Sequence, residues 1–163
     1  PEGELFNWTL TRLKQLGPNG FRAMLWHQGE SDADKMKEED YAAKLSTTLD
    51  GWRKQAGWDF PVFVAQASFR PWGGNSAAVR AAQQSLWDKK IAYPGPDTDA
   101  MLGDLRDNDG KGIHFSLKGL KVHGEAWAEK VGAYLDRVGL ASIGATKPEN
   151  AEVVAEPSER APK

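Results

Sequence analysis

Apolar positions along the chain fall into short blocks whose spacing alternates between two periods. Phe6, Leu10, Leu13 and Leu16 recur at the interval of one helical face and stop at Gly17-Pro18-Asn19-Gly20, a helix stop followed by a turn. The compact apolar run from Phe21 to Trp26 then reads as a buried strand. Tyr41, Leu45, Leu49 and Trp52 carry a second helical stripe, closed by Gly57, and Phe60 to Ala67 reads as a second buried strand with Pro61 tolerated near its beginning. Val79, Ala82 and Leu86 predict a third helix. Ile91-Ala92-Tyr93-Pro94 is a brief extended segment that Pro94-Gly95-Pro96 ends. From Asp97 to Ile113 the chain is polar and Gly-rich, a loop of the length that tends to be functional. Ser116 is an N-cap, and Leu120, Gly124, Trp127, Val131 and Tyr134 form the apolar face of a last helix. Beyond Gly139 the period fades, so 1–139 is expected to be the folded domain and 140–163 a disordered tail.

This alternation predicts an α/β fold: a parallel sheet, right-handed crossovers and helices on both faces. Three strands are visible, whereas such sheets have about five or six. The fold is therefore expected to be incomplete at its amino-terminal side. The chain opens at Pro1 without a basic-then-apolar leader, which reads as a processed or cut piece of something longer.

Composition narrows the partners. A net charge of -2, from 21 Lys and Arg against 23 Asp and Glu, provides no electrostatic footprint for a nucleic-acid backbone or an anionic membrane. No run of 18 apolar residues suggests a membrane span. The absence of cysteine excludes disulfides, thiolate metal sites and a cysteine nucleophile. Seven Trp is a high number for 163 residues. Most of them read as core and interface filler; Trp72, in a Gly-rich loop, is the candidate for stacking on a sugar.

The chemistry concentrates at two places. The first strand stops at His27-Gln28-Gly29-Glu30-Ser31-Asp32, and ligands of open α/β sheets bind outside the carboxyl ends of strands. There the Gln28 amide can donate to a developing oxyanion, Gly29 admits close approach of a ligand to the backbone, and the Glu30 carboxylate can orient neighbours; a plain polar loop is the alternative. The second place is His114, just before a helix, with Asp104, Asp107 and Asp109 upstream. A catalytic base needs a carboxylate on its second ring nitrogen, and Asp109 is the nearest in sequence; a structural histidine and solvated aspartates are the alternative. Gly29-Glu30-Ser31-Asp32-Ala33 imitates a G-x-S-x-G nucleophile elbow, but an elbow needs a helix directly behind its serine, and a charged stretch follows instead. A Ca²⁺ loop fails because Leu105 and Ser116 fall on its first and last ligand positions. No metal or cofactor is expected.

Taken together, Trp26-His27-Gln28-Gly29-Glu30-Ser31-Asp32, Gly95-Pro96-Asp97-Thr98-Asp99, and Gly112-Ile113-His114-Phe115-Ser116 with Gly119-Leu120 resemble the sialate O-acetylesterase-like branch of the SGNH hydrolases. That branch includes the acetyl xylan esterases of carbohydrate esterase family six, and the likeness runs from about Phe21 to Leu135. It implies a flavodoxin-like three-layer α/β/α fold and a metal-free serine esterase acting on acetylated carbohydrate. It also suggests a secreted or periplasmic location. Gln28 is then the oxyanion-hole amide, Gly29 and Glu30 its neighbours at the substrate, and His114 the base. The family's aspartate commonly stands three residues before the histidine, where this chain has Lys111; a short insertion makes Asp109 the first substitute and Asp107 the next. The family's nucleophile lies near the amino terminus in a Gly-Gln-Ser-Asn or Gly-Asp-Ser type motif after the first strand, and this chain has nothing like it. The missing strands and the missing serine point to one absent block, to be supplied by an upstream segment or a second chain. The alternatives are a noncatalytic carbohydrate-binding or assembly module of the same fold, and an esterase that uses Ser31.

Overall fold

The computed structural model describes residues 3–139; the expected tail, 140–163, lies outside the described residues. The elements run α1 (Glu4–Leu16), β1 (Met24–Trp26), α2 (Glu38–Ala56), β2 (Val62–Gln66), α3 (Ala77–Asp88), β3 (Tyr93–Asp97), a 3-10 turn (Gly103–Leu105), a single turn α4 (Asp107–Gly110) and α5 (Leu117–Arg137). The three strands form one parallel sheet in the order β1-β2-β3.

Side-chain alternation along β2 builds the two faces of this sheet. Val62 and Val64 point into a core shared with Phe6 and Leu10 of α1, Leu45, Leu49 and Trp52 of α2, and Val79 and Leu86 of α3. Phe63, Ala65 and Ala67 point the other way, against Trp127 and Tyr134 of α5. The fold is therefore α/β with the sheet between two helical layers. Full burial of a side chain such as Leu49 stabilises it by about 1.5–3 kcal/mol, and α2 exists in this place because its stripe supplies four such residues. The helix starts also follow local rules: Ser76 Oγ accepts from Val79 N, and Ser116 Oγ from Gly119 N at 3.0 Å.

Two expectations change. The first strand is shorter than Phe21–Trp26 and is an edge strand rather than a buried one. Met24 and Trp26 pack towards the larger core, but Leu25 shares the face of Phe63, where α5 lies over β3, and stays 47% exposed. The last strand, in contrast, passes through Pro94 and Pro96 instead of ending at them. As an edge strand β3 can lack alternate amide donors without breaking its ladder, and its two prolines blunt that edge against further pairing. The free edge of β1 carries no proline and no charge.

Candidate active site

The candidate site residues lie on the segments that follow the carboxyl ends of the three strands, Asp104 in the 3-10 turn and Asp107 and Asp109 in α4. The β1–α2 loop leaves Trp26 with its side chains dividing to opposite sides. Gln28 turns towards α2: its Nε2 donates to Asp32 Oδ2 at 2.7 Å, and Tyr41 OH donates to the Gln28 carbonyl at 2.7 Å. Together with Trp26, Tyr41 and Asp32 it lines a cleft of about 110 Å³. One of the two Nε2 hydrogens is taken by Asp32, which leaves the second free for a ligand.

Gly29 is required by contact. A Cβ at this position would collide with the Ala67 carbonyl and come within 2.9 Å of the Gln83 amide. Gln83 is fully buried and ties the strand ends together, donating from Nε2 to the carbonyls of Gln28 and Ala67 and accepting from Ala67 N. Gly29→Ala is expected to destabilise the fold by ~1–3 kcal/mol, as overpacking against backbone does; an unchanged urea midpoint would show that the loop yields without cost.

His27 faces the other side and meets α5. Thr98 Oγ1 donates to the Gln66 carbonyl, so its oxygen accepts from His27 Nε2 at 3.0 Å, and the ring proton of His27 sits on Nε2. His27 Nδ1 is 3.9 Å from Glu30 Oε1. Trp127 Nε1 donates to His123 Nε2 at 2.8 Å, so His123 carries its proton on Nδ1. The His123 ring packs against both His27 and Phe115, with centroids 4.9 and 4.7 Å apart. Burial lowers the pKa of both imidazoles, with His27 and Arg106 adding to the effect at His123, which is pushed down to about 4. Both rings are neutral at pH 7.

Arg106 organises the loop that carries His114. Its buried guanidinium donates to the carbonyls of Met101 at 2.6 Å, Thr98 at 2.6 Å and Ile113 at 2.8 Å, and it lies between the rings of Phe69 and Phe115. It thus grips both neighbours of His114 and draws residues 103–116 back across the strand ends. Phe115 reaches the His27 ring, with centroids 6.0 Å apart. The loop bearing His114 meets the β1–α2 loop there, on the α5 side, whereas the Gln28 side chain lies on the α2 side with Asp32 and Tyr41.

His114 stands on the rim, its side chain 84% exposed, with Nδ1 3.5 Å from Asp107 Oδ2. The carboxylate beside the imidazole is therefore Asp107. Asn108 and Asp109 take left-handed φ of 48° and 54°, a turn that folds Gly112 against Asp107 and leaves Asp109 exposed. Ser31 is exposed within a turn, and α2 begins only at Glu38, so the strand–serine–helix geometry of an elbow is not formed. Among the described residues no serine hydroxyl hydrogen-bonds an imidazole: Ser68 bonds Asp99, Ser76 and Ser116 cap helices, and Ser85 bonds Ala82. Trp72 tops the β2–α3 loop. Also among the described residues, no cluster of three metal-ligating side chains occurs.

With this geometry in view, one comparison decides the family. The carbohydrate esterases described as sialic acid-specific acetylesterases match residues 1–133. The chain belongs to that family. No curated protein and no solved structure matches it. The carbohydrate esterase family consists of hydrolases of acetyl esters, and the α/β sheet described above suits an incomplete SGNH-like fold.

The sequence assigns Arg106, Gln83 and His123 no part in this site, and Asp99 stands in it only as the end of the Gly95–Asp99 motif. Gln83 carries a trace: it falls four residues after Val79, on the apolar stripe of α3, where a buried amide must find partners.

Proposed function

We propose that this chain supplies the base and the oxyanion donor of a serine-type carbohydrate O-acetylesterase, while the attacking serine comes from outside these 163 residues. The observation that carries the reading is the clamp of Arg106 on Ile113 and Phe115, which holds His114 beside Asp107 while Phe115 reaches the end of β1. Its Nε2 remains available to take a proton. Asp107 is the orienting acid in this reading, and Asp109 has no role in it.

The missing serine has a place to come from. Among the described residues β1 pairs on one side only, and a parallel strand added at its free edge would run in the same direction and end beside His27 and Gln28. An attacking group at the end of that strand would arrive at the carboxyl rim. His114 Nε2 then removes the serine proton as the oxygen attacks the acetyl carbonyl. Backbone N–H groups hold the oxyanion together with the Gln28 amide, which has to turn from Asp32 and the α2 side to reach it. Collapse expels the sugar hydroxyl, protonated by the imidazolium, and leaves acetyl-serine. Water, deprotonated by His114, releases acetate and regenerates the serine.

The test is acetyl release from a chromogenic acetate ester. The chain alone is expected to exceed water by no more than ~10³ to 10⁴, the residue of an oxyanion site without a nucleophile, and addition of the encoded polypeptide upstream of Pro1 is expected to restore turnover. Fast hydrolysis by the chain alone, abolished by Ser31→Ala, would establish the elbow in its place. Oligosaccharide binding with no hydrolysis in either sample would make the protein a noncatalytic module.

A further inference from the structure

Gln28 carries its backbone and its side chain on separate supports. Its carbonyl accepts from Tyr41 OH at 2.7 Å and from Gln83 Nε2 at 3.1 Å, and both donors belong to buried residues, Tyr41 on α2 and Gln83 on α3. The phenol has a single proton, and that proton goes to the carbonyl, because Gln28 Oε1 lies farther off at 3.3 Å. The half-buried carboxamide is therefore tied down by one short bond, from Nε2 to Asp32 Oδ2 at 2.7 Å.

Asp32 is itself well fixed. Its N donates to the Gly29 carbonyl at 3.1 Å, and its own carbonyl accepts from Lys35 N and Met36 N, each at 2.9 Å, so the carboxylate stands on a closed backbone turn. Among the described residues that carboxylate has no other hydrogen bond and no ion pair, although Lys44 lines the same cleft. A bond from an amide to an ionised acceptor belongs to the stronger class, and one such bond favours a single arrangement of a side chain by roughly tenfold or more. It holds the Gln28 amide on the α2 side, whereas Phe115 brings the loop of His114 to His27 on the other side of the same segment. Rotation about the Gln28 side-chain torsions carries Nε2 towards the rim while the anchored carbonyl serves as the pivot.

We infer that Asp32 is a positioning residue, a latch whose carboxylate holds the Gln28 amide idle on the α2 side until that bond opens and the amide turns to the oxyanion. The inference rests on the esterase reading, in which Gln28 is the oxyanion donor. Two measurements test it. In the 163-residue chain the two Gln28 Nε2 protons are followed by NMR; their separation is expected to fall to that of a free carboxamide in Asp32→Ala, and part of the way in Asp32→Asn, which keeps an acceptor but loses the charge. In the completed esterase, Asp32→Ala is expected to raise kcat for a chromogenic acetate ester by about 3- to 10-fold, the gain from freeing a state held at a minor fraction, and Asp32→Asn by less. The gain should vanish when Gln28→Ala is combined with it, because the latch acts through that amide alone. Unmoved Gln28 signals in Asp32→Ala overturn the latch. So does a fall in kcat as deep as that of Gln28→Ala, which would make Asp32 the support of the working position, and so does a gain that survives in the double variant. A completed protein that releases no acetate in any variant sinks the esterase reading. The latch then stands only if the wild-type Gln28 signals move when the polypeptide upstream of Pro1 is added, and falls if they do not.

Discussion

Replacing His114 with alanine in the completed esterase is expected to lower kcat by ~10⁴-fold or more, the size of effect seen when the base of a serine triad is removed. At 1.36 kcal/mol per decade this is about 5 kcal/mol of transition-state stabilisation. The same substitution should leave thermal stability almost unchanged, because the imidazole is exposed on the rim and packs against nothing that depends on it. This separation of activity from stability is what marks a catalytic group. The other two imidazoles cannot stand in for it. His27 Nε2 is engaged with Thr98, and His123 Nε2 already accepts from Trp127 on a ring whose pKa is pushed down to about 4. Asp107→Ala is expected to reduce kcat by a smaller factor, and Asp109→Ala to leave it alone. Activity surviving in His114→Ala, measured as acetate release at saturating ester, would remove the imidazole from the mechanism.

The contrast between Asp107 and Asp109 also shows where sequence reasoning stops. Helical stripes and the central strand were legible because burial imposes a period on many residues at once: Tyr41, Leu45, Leu49 and Trp52 all face one core. The rim was legible as a location, since Gln28 and His114 follow strand ends in an α/β pattern. The partner of His114 was not, because proximity along the chain favoured Asp109 and the left-handed turn at Asn108 and Asp109 reverses that order in space. β1 reads as buried in the sequence because an apolar edge strand has the composition of a central one. Pro94 and Pro96 read as stops in the sequence because their tolerance depends on β3 being at the opposite edge. Arg106 gives no signal, and Asp99 enters only as the last residue of the Gly95–Asp99 motif, with no role attached: a lone charge in a polar loop looks solvated until distant segments supply its partners.

Asp99 is the residue where such hidden partners matter most for stability, and Asp99→Ala is expected to cost ~3–5 kcal/mol, the range for breaking a buried pair by removing one member. The side chain is 1% exposed and accepts four hydrogen bonds: Ser68 N at 2.6 Å, Phe69 N at 2.8 Å, Ser68 Oγ at 2.7 Å and Arg80 NH1 at 2.9 Å. Alanine would strand two backbone N–H groups and a hydroxyl in a region that water does not reach. Arg80 suffers less, because Asp97 still pairs with both of its terminal nitrogens. Asp97→Ala should accordingly cost far less than Asp99→Ala, since its carboxylate is partly solvated and braces the guanidinium and the amides of Asp99 and Ala100 at the surface. Urea unfolding of the two variants gives the comparison. Amide exchange at Ser68, Phe69 and Arg70 should rise in Asp99→Ala while exchange in β2 below them rises only with the global loss. Equal costs for the two aspartates would mean that Arg80, not the amides of the Trp72 loop, is what Asp99 serves. The order of the loop after β2 would then have another source, such as the paired backbone bonds between Arg70 and Gly74.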